Sequence, residues 1–204
     1  LGDAASYDRI AKSIVTGTGF AEYPPTLTAF WPPLYPGFLA LIYSISGHNF
    51  QVARLVQALI STLVPVSIYL IVYRVFSNRV AWLAGLGVIF YPHLIYFNAW
   101  LIAESLFMLL MTSGMLILST LPSAPKLMAV VAAGLLFGLA ALAKPFMLFV
   151  MPFIGLWLLF AYPTPIRHRF AALFILAAAT LAVILPWTVR NYGVYGQVVL
   201  ISTN

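Results

Sequence analysis

The sequence contains no cysteine, and only 7% of its 204 residues are charged. Without cysteine the chain has no disulfide, no thiolate nucleophile and no cysteine-ligated zinc. A soluble domain carries roughly a quarter charged residues, so the shortage of charge excludes a water-soluble globule. A nucleic-acid-binding surface is excluded as well, because the ten basic residues are too few and are scattered along the chain.

Several familiar catalytic motifs are also missing. The sequence has no Asp-x-Asp pair and no Gly-rich phosphate loop, which argues against a nucleotide-sugar donor. It has no His-Glu-x-x-His and no Gly-x-Ser-x-Gly, the signatures of common hydrolases. With three histidines far apart in the chain, a dedicated metal cage is not predicted. No cofactor is indicated with certainty, and a divalent metal stays open.

Hydrophobic residues make up 63% of the chain and give a mean hydropathy of +1.03. This composition predicts an all-α fold, a polytopic bundle of transmembrane helices. An apolar run of about 20 residues is long enough to cross the hydrocarbon core as a helix. A shorter run at 36–46 is expected to lie along the interface. Six runs predict six spans, at 51–74, 80–98, 101–120, 126–143, 145–161 and 169–187.

Basic residues set the predicted orientation. The turns around Ser77, Ser123 and Pro165 carry or adjoin arginine and lysine and contain no acidic residue. By the positive-inside rule these turns are cytoplasmic. The opposite, extracytoplasmic side then holds all four acidic residues, which are Asp3, Asp8, Glu22 and Glu104.

This orientation divides the chain into three parts in a plasma, or inner, membrane. Residues 1–50 form an extracytoplasmic loop with juxtamembrane helices, 51–187 form the six-span bundle, and 188–204 begin another extracytoplasmic segment. The first residue is Leu1 and the last lies in a polar stretch. We therefore expect the chain to be a fragment, without the N-terminal span and the C-terminal region of a larger protein.

Two carboxylates are the leading catalytic candidates, Asp3 and Glu104. Asp3 shares a face with Tyr7 if residues 2–14 form a helix. Glu104 stands near the start of an apolar span, where a carboxylate is costly unless it faces water or a cation. By contrast, Asp8 with Lys12 is interpreted as a solvated surface pair. Glu22, in a loop before two prolines, is interpreted as solvated too.

Three cations on the same side are candidates for binding a phosphate: Arg54, Lys144 and Arg190. Each of them has the alternative of contacting lipid headgroups. We expect Tyr7, Trp31, Tyr35 and His93 to line the substrate site, with a structural role as the alternative for the histidine. The pair Gly134 and Gly138 has the small-xxx-small spacing of helix packing.

The chain resembles the dolichyl-phosphate-mannose protein mannosyltransferase-like family, including relatives of the bacterial lipid A aminoarabinose transferase. The segments that carry this resemblance are Gly2-Asp3 with Tyr7 and Ala11, Trp31-Pro32-Pro33-Leu34-Tyr35-Pro36, Arg54-Leu55-Val56-Gln57, Tyr91-Pro92, Ala103-Glu104-Ser105-Leu106-Phe107, Ala143-Lys144-Pro145, and Pro186-Trp187 with Arg190-Asn191-Tyr192.

The resemblance implies the GT-C fold and an integral-membrane glycosyltransferase of the cell envelope. It implies a sugar donor linked to polyprenyl phosphate, and hexosyl or pentosyl transfer with inversion to a hydroxyl of a lipid, glycan or protein acceptor. Asp3 matches the family's catalytic carboxylate, and Glu104 matches an acidic residue at the next external helix start. The alternative is a membrane transporter or lipid flippase that uses Glu104 and Lys144 as a polar site.

Overall fold

The computed structural model of the chain describes residues 2–119, 126–161 and 164–204. The predicted turn around Ser123 lies outside these residues. Within them the fold is all-helical, apart from an isolated bridge between Tyr23 and Thr26. The helices are α1 Gly2–Val15, α2 Leu34–Ser46, α3 Phe50–Ser61, α4 Leu63–Val75, α5 Asn78–Ile89, α6 Pro92–Ala99, α7 Glu104–Ser119, α8 Leu127–Ala143, α9 Met147–Ala161 and α10 Ile166–Tyr195.

The first two helices precede the long apolar helices and pack against each other. α1 matches the predicted helix at 2–14 almost to the residue. α2 begins two residues before the predicted run at 36–46, because Pro36 sits in its first turn, where no backbone donor is needed. It ends at Gly47, whose φ of 69° is one that other residues rarely adopt. Both helices therefore lie where the sequence predicts them.

One predicted span is broken. The run at 80–98 forms α5 and α6, whose axes are bent by 41°. The break lies before Pro92, which disfavours a helical conformation at Tyr91, and Tyr91 is extended (φ −73°, ψ 114°). The prediction of a single continuous span over 80–98 is therefore wrong.

The last helix is longer than predicted. α10 runs over 30 residues and passes through Pro186 to Tyr195, well beyond the expected end of the span at 187. It ends at Gly196, which has the left-handed φ of 65° that commonly terminates helices. After it the chain turns back, and Trp187 Nε1 donates to the carbonyl of Ile201 at 2.9 Å.

Length and composition allow the helix over Phe50–Val75 (α3 with α4) and α10 to cross a membrane, and a third span follows if α5 and α6 are counted as one. The other apolar helices are shorter than 18 residues: α2, α7, α8 and α9. The all-helical architecture with several apolar helices is therefore as predicted. The number of spans stays a prediction.

The bundle core lies between α7, α8, α9 and α10. Gly134 and Gly138 allow α8 to approach α10 closely, as the small-xxx-small spacing predicts. A Cβ atom on Gly138 would lie 2.6 Å from the Cβ of Val183 and 2.8 Å from the carbonyl oxygen of Thr180. A second cluster joins α1 and α2 to Ala53, Leu101 and Ala103. This second cluster brings the start of the chain next to the start of α7.

Candidate functional site

Glu104 and Lys144 form an ion pair between two helix ends. Glu104 is the first residue of α7, and Lys144 follows the last residue of α8. Their side chains meet with 2.6 Å between Lys144 Nζ and Glu104 Oε1. Pro145 ends α8 by forcing Lys144 into an extended conformation, and the position after a helix C-terminus suits a cation. Both side chains keep some exposure, 21% for Glu104 and 35% for Lys144, so a ligand can reach them.

Asp3 and Tyr7 lie on one face of α1. Asp3 is exposed in the first turn of α1, one turn before Tyr7, which is buried. Burial raises the pKa of Tyr7, and the negative charges of Asp3 and Glu104 raise it further. Tyr7 packs in the same buried cluster as Ala103, the residue before Glu104. A common site formed by Asp3, Tyr7, Glu104 and Lys144 stays a prediction.

Glu22 is not solvated, contrary to the prediction. Its Oε1 accepts from Ser6 Oγ at 2.6 Å and from the Arg9 guanidinium at 2.5 Å, and its Oε2 accepts from Trp31 Nε1 at 2.9 Å. The prediction failed because the loop folds back onto α1, where Ser6 and Arg9 are three residues apart on one face. Trp31 then packs edge-on against Tyr7, with ring centroids 5.2 Å apart.

The predicted pair of Asp8 and Lys12 is present, with 2.9 Å between Lys12 Nζ and Asp8 Oδ2, but it is not a solvated surface pair. Asp8 is buried, and its Oδ1 accepts from the Tyr43 hydroxyl at 3.0 Å and contacts His48 Nε2 at 2.8 Å. Both partners are distant in sequence, so only the packing of α2 on α1 reveals them. These contacts join α1 to the last turn of α2 and to the α2–α3 connection.

Tyr35 lies inside the core of α1, α2 and α3. It is fully buried, its ring lies 5.1 Å from that of Tyr7, and its hydroxyl donates to Gln57 Oε1. Its substrate-lining role stays a prediction, and in this structure the hydroxyl is used inside the core. Gln57, which the sequence analysis did not single out, is the residue that satisfies it.

Arg190 uses its guanidinium to hold the loop before α2. Nη1 donates to the carbonyl of Thr28 at 2.8 Å, and Nη2 lies 3.4 Å from the carbonyl oxygen of Phe20. The group also lies over the Trp187 ring, 4.7 Å from its centroid. These contacts give Arg190 a structural role, and phosphate binding by this residue stays a prediction.

The other two predicted site residues are Arg54 and His93. Arg54 is exposed and forms no hydrogen bond or ion pair with any residue that the structure describes. His93 is exposed on α6, and its ring stacks on Tyr91 with centroids 5.3 Å apart. The structure does not join either side chain to Asp3, Tyr7, Glu104 or Lys144.

An apolar groove of about 650 Å³ lies between α2, α7, α8 and α10. It reaches within two residues of Glu104 on α7, at Leu106, and of Lys144 on α8, at Leu142. The segment 31–46, which we expect to line a lipid entrance, supplies five of its lining residues. The full lining is Pro33, Leu34, Gly37, Phe38, Leu41, Leu106, Leu110, Leu139, Leu142, Val183, Pro186 and Trp187.

A separate cavity of about 460 Å³ lies between α3–α4 and α5–α6, and no charged residue lines it. Among residues 2–119, 126–161 and 164–204, no three histidine, aspartate or glutamate side chains gather as metal ligands would. The apolar groove has no charged lining residue either, but its lining residues Leu106 and Leu142 lie two positions along the chain from Glu104 and Lys144.

Comparison with protein families identifies the family of the chain. Residues 31–189 match the family model described as dolichyl-phosphate-mannose-protein mannosyltransferase. The chain belongs to this family. The matched range contains Glu104, Lys144 and the whole groove, whereas Asp3, Tyr7 and Arg190 lie outside it. No curated protein and no solved structure shows significant similarity to the chain.

Membership indicates a membrane glycosyltransferase of the GT-C type, with mannosyltransferase-like activity. The family uses sugar donors linked to polyprenyl phosphate. The apolar helices agree with a membrane location. The resemblance stated from the sequence is thus confirmed at the level of the family.

Proposed function

We propose that the protein transfers a sugar, a hexose or pentose, from a polyprenyl-phosphate donor to a hydroxyl acceptor at the extracytoplasmic face of the plasma membrane. The observation that carries the proposal is the Glu104–Lys144 ion pair between the start of α7 and the end of α8, the two helices that also supply Leu106 and Leu142 to the apolar groove. A lipid-linked donor needs an apolar site for its tail and a cation for its phosphate. In this proposal the groove meets the first requirement and Lys144 the second.

The reaction balances with the residues present. Asp3 accepts the proton of the acceptor hydroxyl while the hydroxyl oxygen attacks the anomeric carbon from the face opposite the phosphate. The bond between that carbon and the phosphate oxygen breaks, and configuration inverts. Polyprenyl phosphate leaves with the bonding electron pair, and Lys144 stabilises its growing negative charge. Glu104 holds Lys144 in place before the donor arrives.

The groove suits the tail of the donor. Its lining is mainly leucine, with Phe38, Val183 and Trp187. A prenyl chain that enters the groove from the bilayer stays in apolar surroundings, so packing against these side chains, and not the hydrophobic effect, favours its binding. Arg54 and Arg190 remain proposed phosphate contacts of second rank, since Arg190 is engaged by carbonyls.

Transfer from radiolabelled polyprenyl-phosphate sugar by the full-length protein in membranes tests the proposal. We expect Asp3→Asn to lower kcat by about 100-fold or more, because the general base is lost. Glu104→Gln and Lys144→Gln should both weaken donor use, and Lys144→Gln should raise the donor KM. Tyr43→Phe is the matched control, since it removes a polar contact of α1 away from Glu104. Unchanged transfer by Asp3→Asn and Glu104→Gln would remove both proposed roles.

The same ion pair is what a transporter or lipid flippase would use, so that alternative has one observation in its favour. A flux assay in proteoliposomes separates the two functions. Movement of a polyprenyl-phosphate sugar across the bilayer, with no glycosylated product in any acceptor fraction, would favour transport over transfer.

A further inference from the structure

Gln57 is a fully buried polar residue in α3 that uses all its hydrogen-bonding groups. Its Oε1 accepts from the Tyr35 hydroxyl of α2. Its Nε2 donates to two carbonyls, that of Phe97 at 3.2 Å and that of Trp100 at 2.8 Å. Only a side-chain amide offers an acceptor and two donors on one planar group, so no other residue type makes all three contacts.

The two carbonyls stand where α6 ends and the chain turns towards α7. The carbonyl of Trp100 belongs to the residue just after α6, four positions before Glu104. The connecting residues Leu101 and Ala103 are buried in the same cluster as Tyr7 and Tyr35. A second contact joins α7 to α6, because Ser105 Oγ donates to Asn98 Oδ1 at 2.9 Å. The hydrogen bond from Gln57 to the Trp100 carbonyl therefore also helps to fix the position of Glu104.

The Tyr35 end of the Gln57 hydrogen bonds lies on α2, the helix that lines the groove. Tyr35 points to Gln57, while Leu34 and Phe38, its neighbours on α2, line the groove. We propose that Gln57 is a positioning residue, which holds the groove-lining helix α2 and the Glu104 end of α7 in one arrangement. This inference rests on the proposed function, because it assigns Gln57 to the placement of the donor tail relative to Glu104 and Lys144.

Three variants of the full-length protein test it through transfer kinetics in membranes. We expect Gln57→Leu to lower kcat by about 10- to 100-fold, since small misplacements of catalytic groups cost this much. Tyr35→Phe removes only the link to α2 and should have a smaller effect in the same direction. The control Thr180→Val removes a buried hydroxyl that bonds Gly134 and Leu176, within α8 and α10, and should leave kcat unchanged.

A double variant distinguishes positioning from general destabilisation. If Gln57 acts through the Glu104–Lys144 pair, Gln57→Leu adds little to the loss already caused by Lys144→Gln. Losses that multiply would overturn the proposal, because they would mean that Gln57 acts independently of the pair. Unchanged kcat in both Gln57→Leu and Tyr35→Phe would overturn it as well.

A cross-link gives a readout that does not depend on activity. Because the chain has no cysteine, the pair Asn98→Cys and Ser105→Cys introduces the only thiols. We expect Gln57→Leu, but not Thr180→Val, to slow disulfide formation between them. If the wild-type protein transfers no sugar, the proposed function fails while this measurement still decides the role of Gln57. Equal cross-linking rates with and without Gln57→Leu would mean that Gln57 does not fix the connection between α6 and α7.

Discussion

Glu22 shows how a single carboxylate can join a loop to a helix. Its three donors come from α1 and from the residue that packs on Tyr7. Burial acts to raise the pKa of Glu22, but the hydrogen bonds from Arg9, Ser6 and Trp31 outweigh it and hold the pKa below its ordinary value. The ionised form is therefore the one that keeps Trp31 against Tyr7.

The lowered pKa of Glu22 makes the stability of the fold sensitive to acid. A pKa that is lower in the folded state contributes stability above the unfolded pKa, near 4.5 for Glu22, and the contribution is lost as pH falls through the folded value. We expect the Tm of the detergent-solubilised wild-type protein to fall below about pH 4.5. Glu22→Gln should lower the Tm at neutral pH and flatten the acid slope, with Trp31→Phe intermediate. Parallel curves for wild type and Glu22→Gln would contradict this.

Among single residues, the sequence singled out the charged ones that stand in apolar surroundings. It did not single out those whose hydrogen-bond partners are far away along the chain. Glu104 and Lys144 stand alone among apolar residues, so their cost in lipid marks them in the sequence itself. Glu22 lies in an ordinary polar context, and Gln57 is an uncharged residue within the apolar run at 51–74. Their partners are brought close only by the packing of α1, α2 and α6, and that packing has no signature in local sequence.

The contact between α8 and α10 is a close helix approach in the bundle core. A Cβ atom on Gly134 would lie 2.7 Å from the Cβ of Ala179, and a Cβ atom on Gly138 would meet both Val183 and the Thr180 carbonyl. Small residues let backbones approach in this way, and packing replaces the hydrophobic effect that lipid cannot supply.

Gly138→Ala should destabilise the protein by about 1–3 kcal/mol, because the added methyl group meets backbone that cannot move aside easily. The measurement is the Tm in detergent, with the Glu104–Lys144 region intact as judged by donor binding. Gly87→Ala is the matched control, a helical glycine in α5 with nothing within 4 Å of the added Cβ. It should leave the Tm unchanged or raise it slightly. An equal fall in both variants would mean that close packing is not the cause.

Proline and glycine residues set several helix boundaries, and the sequence analysis placed only some of them. Gly47 and Gly196 end α2 and α10, and Pro145 ends α8. Pro92 broke the run at 80–98, which an apolar count alone could not show. Pro186 did the reverse, because it lies inside α10 without ending it. The same residue type has opposite effects, and the neighbouring packing decides which one occurs.

Charged groups gather at two ends of the molecule. Asp3, Glu104, Lys144 and Arg190 belong with α1, α2 and the returning chain after α10. At the other end, Arg74 donates to the carbonyl of Leu116 at 2.8 Å, near the end of α7. Arg169 binds the carbonyls of Leu159 and Thr164 around the start of α10. This separation is what the predicted orientation requires.

The orientation itself can be measured, because a chain without cysteine accepts single thiols as clean probes. Thr26 lies in the exposed loop after α1, and Ser77 lies in the exposed turn between α4 and α5. We expect Thr26→Cys in intact cells to react with a membrane-impermeant maleimide. Ser77→Cys should react only after permeabilisation, since Arg74 and Arg79 hold that turn on the cytoplasmic side. The reverse pattern would place Asp3 and Glu104 in the cytoplasm. A sugar-transfer site open to the outer leaflet would then be impossible, whatever the geometry of the ion pair.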